Sequence, residues 1–96
     1  MYGYIYLIYC DITGRLYIGA RRWKDHTTIH KDKYMGSGAA LNRDKARFGL
    51  AHFHKTILAI AFSLKELNQL EKLYIDKYNA VESPRFYNLK SGGGLA

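Results

Sequence analysis

The stretch Tyr4–Gly19, YIYLIYCDITGRLYIG, decides the fold. Tyr4–Cys10 is a β-branched and aromatic run of the kind a buried strand carries. Asp11-Ile12-Thr13-Gly14 reads as a turn, with Gly14 supplying the positive-φ position, and Arg15–Gly19 opens a second extended run. Together they predict a β-hairpin. A turn centred near residue 12 sets Tyr6 roughly opposite residue 17 or 18, so Tyr6 and Tyr17 share one face of the sheet.

Outward from the hairpin, Ala20–Lys33 is polar and basic, has no clear period and reads as loop. Tyr34-Met35-Gly36-Ser37-Gly38 is a second turn signal. Ala39–Phe48 has helical character, and Gly49 stands where a helix stops. Residues 54–60, within the apolar stretch Phe53–Phe62, predict a third strand. Ser63-Leu64-Lys65-Glu66 is a capping box that starts a helix running to about Tyr78. Residues 86–89 read as a short extended piece, and residues 91–96 as a flexible Gly-rich tail. There is no internal repeat.

At 96 residues the chain is one domain, 1–96, of ordinary globular composition: 48% apolar and 24% charged. No apolar run approaches the roughly 20 residues of a membrane helix. The N-terminus has no basic n-region before its first strand, so no signal peptide is expected and a reducing cytoplasm is the default. A single cysteine, Cys10, excludes an internal disulfide framework and a multi-Cys zinc site. The net charge is +7 and unevenly spread: residues 1–55 hold ten of the fifteen Lys/Arg and four of the eight Asp/Glu. A basic half on so small a domain points to a polyanion, most often nucleic acid.

The last helix carries the sharpest clue. Its apolar stripe is Leu64, Leu67, Leu70, Tyr74, Ile75 and Tyr78, and Glu71 falls in the middle of it. A carboxylate there is costly unless it is paired, hydrogen-bonded or metal-bound. A structural salt bridge to one of the arginines is the plain explanation. The alternative is phosphodiester hydrolysis, which needs a carboxylate for a hard cation, a fixed guanidinium for phosphate charge and a group to handle water.

Tyr4-Ile5-Tyr6, ten intervening residues and Tyr17-Ile18-Gly19 resemble the GIY-YIG nuclease signature, with Tyr6 and Tyr17 as its tyrosine pair and Tyr4 where the family has glycine. Further marks follow in order: Arg21 or Arg22, the Tyr34–Gly38 segment, Glu71 within Leu70–Ile75, and Tyr87-Asn88. The resemblance runs from residue 4 to about 94. It implies a small α/β (α+β) fold, a three-stranded antiparallel sheet flanked by helices. It implies an endonuclease dependent on Mg²⁺ (or Mn²⁺) that cleaves DNA to 3′-hydroxyl and 5′-phosphate ends, of the homing type borne by phage or mobile elements and acting in the bacterial cytoplasm. Glu71 would hold the metal, Tyr6 or Tyr17 would position or deprotonate water, Arg21 (with Arg22 as substitute) would stabilise the phosphate, and Asn88 would fix the site.

Other residues carry weaker signals. His26 and His30 are spaced i, i+4, yet their stretch does not look helical and no third ligand accompanies them; they are candidates for proton transfer or phosphate contact. Gly36-Ser37-Gly38 is either a phosphate cradle or a plain helix-start turn. Arg22, Lys31, Lys33, Ser37, Arg43, Lys45, Arg47 and Lys55 are candidate DNA contacts. Nothing resembles a helix-turn-helix or zinc finger, so target choice is expected from a separate DNA-binding domain, attached at the Gly-rich end or elsewhere, and a homodimer would serve to cut both strands. The rivals are a non-catalytic nucleic-acid-binding module of the same fold and a basic ribosome-associated protein.

Overall fold

The computed structural model describes residues 1–88. Strands β1 (Gly3–Cys10), β2 (Leu16–Arg22) and β3 (Phe53–Ala61) form one antiparallel sheet in the order β2-β1-β3. β1 is central and covered on both faces, which is why it reads as a nearly unbroken apolar run rather than an alternating one. On one face Tyr4, Tyr6, Ile8 and Cys10 pack with Leu41, Phe53 and Tyr87. On the other, Ile5, Ile18 and Ala61 pack with Leu67 and Ile75.

Gly14 occupies the positive-φ position at +73°, and its N–H donates to the Cys10 carbonyl at 2.8 Å. The turn is closed by Cys10 N–H donating to the Arg15 carbonyl, so its centre lies between residues 12 and 13. The expected pairing of Tyr6 with residue 17 or 18 is therefore corrected: Tyr6 faces Gly19, and Tyr17 faces Ile8. Tyr6 and Tyr17 remain on the same face as diagonal neighbours, with ring centroids 6.2 Å apart.

The expected loop over Ala20–Lys33 is also corrected. β2 continues to Arg22, paired with Gly3, and a 3₁₀ helix spans His26–Lys31. Asp25 starts that helix by accepting the Thr27 N–H at 3.0 Å.

Helix α1 (Ala39–Phe48) ends at Gly49, whose φ is +92°. Helix α2 spans Leu64–Lys77. Ser63 Oγ accepts the Glu66 N–H as the capping box requires, whereas Glu66 Oε1 takes the N–H of Phe62, one residue earlier than that motif predicts. The buried line of α2 is Leu67, Glu71 and Ile75, one residue per turn. Leu64 and Tyr78, placed in the apolar stripe by the sequence, lie at the helix ends and are exposed. After α2, Leu16 and Phe86 form a parallel bridge on the outer edge of β2. Leu89 and the Gly-rich segment lie outside the described residues. Among the described residues no helix is long and apolar enough to cross a membrane.

Candidate active site

The site is built first around the two phenols. Tyr6, from the central strand, lies over Gly19, where any Cβ would meet its hydroxyl end. Tyr17 is half-buried, and Gly36 and Gly38 lie flat against its ring: a Cβ on Gly38 would come within 2.8 Å of it. Three glycines thus serve two tyrosines. Burial raises the Tyr6 hydroxyl far above the ordinary phenol value, and the charges of Tyr17, Tyr34 and Glu71 add to it. Burial likewise raises Tyr17, with contributions from Tyr34 and Glu71.

Glu71 arrives on α2, whose apolar neighbours pack on the opposite face of the sheet. An ionised Glu71 adds a small upward push to both phenols, after burial and the neighbouring tyrosines. The side chain is buried, its Oε1 has no hydrogen-bond partner among the described residues, and burial lifts its carboxyl to about 7. The structural salt bridge is absent among the described residues: the arginines that form ion pairs use Asp32 and Asp44. A buried carboxyl with an unpartnered oxygen calls for a proton, a water or a cation. Among the described residues no group of three or more His, Cys, Asp or Glu could hold a metal. A single carboxylate would suit Mg²⁺, which is held by one or two carboxylates and keeps much of its hydration shell, rather than zinc.

Strand alternation separates the two arginines. Arg21, opposite Tyr4, shares the face of Tyr4 and Tyr6. Arg22 falls on the alternate face, exposed, its guanidinium 5.3 Å from the Tyr2 ring centroid. Arg21 lies over the Tyr34 ring at 4.3 Å, and its Nε donates to Asp32 Oδ2 at 3.0 Å. Tyr34 in turn meets Tyr6 edge-on at 6.0 Å. Arg21 therefore belongs to the phenol cluster and Arg22 does not.

Asn88 holds the edge. Its amide donates to the Ile18 carbonyl at 2.8 Å and its oxygen accepts the Ile18 N–H at 3.0 Å, so one side chain satisfies both backbone groups of the residue between Tyr17 and Gly19. Tyr87, just before it, donates to the buried Asp44 carboxylate at 2.8 Å.

The remaining candidates divide by exposure. Ser37 is exposed and its neighbour Gly38 starts α1 without a side-chain cap, so the Gly-Ser-Gly segment serves to pack against Tyr17. Lys45 turns inward and donates to the carbonyls of Met35 and Gly36 at 3.1 Å each, which anchors that segment. Lys55 is likewise committed, to Tyr4 and two carbonyls. Lys31, Lys33, Arg43 and Arg47 are exposed. His26 and His30 are exposed on a 3₁₀ helix, where about three residues make a turn and i, i+4 partners diverge.

Sequence reasoning passed over Asp32 and gave Tyr34 no role beyond its turn motif. Asp32 sits in a run of charges, HKDK, that gives no sign of burial. A faint signal existed for its partner: Tyr4 stands where the family carries glycine, and a phenol buried on a central strand needs an acceptor. Asp32 supplies it, at 2.5 Å.

Comparison with known proteins agrees with this architecture. Residues 1–90 match the family model described as "Putative endonuclease segE, GIY-YIG domain". The chain is 34% identical over 94 residues to "Putative endonuclease segB" of Enterobacteria phage T4, covering 97% of this chain and 40% of that relative. It is 32% identical over 92 residues to "Endonuclease segA" of the same phage, covering 96% and 39%. The chain thus spans about two-fifths of the length of the curated relatives it matches. Its fold superposes on the catalytic domain of the intron endonuclease I-TevI with a TM-score of 0.69 and 22% identity, covering 98% of this chain and 99% of that one. With all but its last six residues matched to one domain type, and the same fold reached from backbone geometry alone, the chain belongs to the GIY-YIG endonuclease family.

Proposed function

We propose that this chain is the catalytic domain of a metal-dependent endonuclease that hydrolyses DNA phosphodiester bonds to 3′-hydroxyl and 5′-phosphate ends. The observation that carries the reading is the buried Glu71 carboxyl, with an oxygen that has no hydrogen-bond partner among the described residues, in a chain whose two signature phenols pack together. Glu71 would hold a single Mg²⁺ (or Mn²⁺), which when bound supplies positive charge to a phosphate oxygen. Tyr17 is the phenol with access to solvent and takes the hydrogen bond of the attacking water. Tyr6, fully buried, holds Tyr17 in place. Arg21 meets charge building on the phosphate with a guanidinium already fixed by Asp32 and Tyr34. Asn88 keeps β2, and with it Tyr17 and Arg21, in register.

The exposed bases Arg22, Lys31, Lys33, Arg43 and Arg47 give affinity for the DNA backbone without sequence choice. Selectivity then comes from a separate DNA-binding domain, and a homodimer accounts for cutting both strands. That the matched relatives are encoded by a phage supports the bacterial host cytoplasm as the site of action.

The test is supercoiled plasmid incubated with wild-type protein and with Glu71→Ala, in Mg²⁺ or in EDTA, with the ends of the product mapped. Nicking by wild type in Mg²⁺, its loss in EDTA and in Glu71→Ala, and retained DNA binding by the variant are expected. Equal nicking by both proteins, or none by wild type, overturns the reading; binding without cleavage leaves the non-catalytic module.

A further inference from the structure

Arg21 is held more elaborately than a surface arginine requires. Its partner Asp32 is buried, with a side chain 4% exposed against 36% for that of Arg21. Oδ2 of Asp32 accepts both the Tyr4 hydroxyl and Arg21 Nε, and Oδ1 accepts the Tyr34 N–H at 3.1 Å. Lys55 closes the arrangement from β3: its Nζ donates to the Tyr4 hydroxyl, the Asp32 carbonyl and the Tyr34 carbonyl, all within 2.9 Å. Burial pushes the Asp32 carboxyl up, but its hydrogen bonds from Tyr4, Arg21 and Tyr34 outweigh that, and it stays ionised.

A half-exposed ion pair by itself stabilises a fold little. Burying the acid, satisfying both its oxygens and locking its backbone does something else: it fixes the direction of the one exposed partner. Nε is the guanidinium atom committed to Asp32, which leaves the two terminal amino groups for a second partner. Tyr34 holds the plane of the guanidinium from beneath. Such a support is what a group aimed at a phosphate needs, because a small misplacement costs far more rate than affinity.

We propose that Asp32, locked by Tyr4 and Lys55, is the positioning residue for Arg21, setting the guanidinium toward the phosphate that is cut. The proposal rests on the nuclease reading above. It also accounts for Tyr4: the tyrosine in the place of the family's glycine is the residue that supplies the short hydrogen bond to Asp32.

The experiment is single-turnover nicking of supercoiled plasmid in Mg²⁺ by wild type, D32N, R21A and the D32N/R21A double variant, with thermal unfolding recorded for each. For D32N the rate at saturating protein falls about 10–100-fold while the half-saturating concentration changes less than about threefold. Because Asp32 acts through Arg21, adding D32N to R21A changes the rate less than about twofold. Y4F, which removes one lock and keeps the ion pair, gives a smaller loss that also vanishes alongside R21A, and it carries the test should D32N not fold. A wild-type rate in D32N, or losses that multiply in the double variant, overturns the proposal while leaving the nuclease reading intact. Full activity in R21A overturns it as well. Failure of the nuclease reading shows separately, as absence of Mg²⁺-dependent nicking by wild type.

Discussion

Tyr6 lies directly over Gly19, its partner across the hairpin, and the phenol occupies the space a Cβ would need. The last glycine of the second signature triplet is therefore a steric requirement of the last tyrosine of the first. Gly19→Ala forces Tyr6 to shift, at a cost of about 1–3 kcal/mol for overpacking a rigid site. The variant is expected to melt several degrees lower, and its nicking rate to fall even at temperatures where circular dichroism shows it folded.

The buried acid makes stability depend on pH. Burial lifts Glu71 from an ordinary 4.5 to about 7. The folded chain then binds this proton more tightly than the unfolded chain does. Its contribution is fully present below about pH 4.5 and is lost as pH rises through 7. In EDTA, Glu71→Gln is expected to match wild type at about pH 4 and to exceed it at pH 8 by on the order of 3 kcal/mol. Melting curves at the two pH values check this; equal differences at both would contradict the burial argument.

Asn88 reaches Ile18 with both ends of its amide. Asn88→Ala leaves a buried N–H and carbonyl without partners, at about 1–3 kcal/mol. Hydrogen exchange at the Ile18 amide is expected to quicken by ten-fold or more, with nicking reduced in parallel. Asn88→Asp, which cannot donate, is expected to restore only part of the protection.

Basic residues of the same charge divide into two kinds by exposure: Lys31 and Arg47 are exposed, and Lys45 is half-buried. Lys31→Ala and Arg47→Ala, at exposed positions, are expected to weaken DNA binding and lower the salt slope of log Kd by about 1 each. Lys45→Ala removes two hydrogen bonds to the Met35–Gly36 backbone. It is expected to lower the melting temperature and leave the salt slope nearly unchanged, as binding titrations across salt concentrations would show.

The hairpin, the first helix with its glycine stop, the third strand and the start of the last helix were all legible, because each rests on local chemistry: turn residues, periodicity and caps. Glu71 was legible for the same reason, as a charge at a helical spacing reserved for apolar residues. Register was misjudged by a residue or two, since closure of the turn by Cys10 and Arg15 depends on backbone hydrogen bonds that residue types do not reveal. The strand extension through Arg22 was missed because its partner, Gly3, is far away in sequence. The role of Asp32 was invisible for a related reason. Its neighbours in the chain are charged and exposed, and only the return of Tyr4, Arg21 and Lys55 from three strands makes it an interior residue.

The clasp of Asn88 on Ile18 joins residues 70 positions apart. During synthesis the hairpin with Tyr6, Tyr17 and Arg21 emerges from the ribosome first, Glu71 much later, and the amide that steadies the edge later still. A nascent chain therefore carries no completed site until Asn88 has emerged. Order of emergence thus sets order of assembly: the hairpin side chains wait for the acid of α2, and the edge strand waits for its amide.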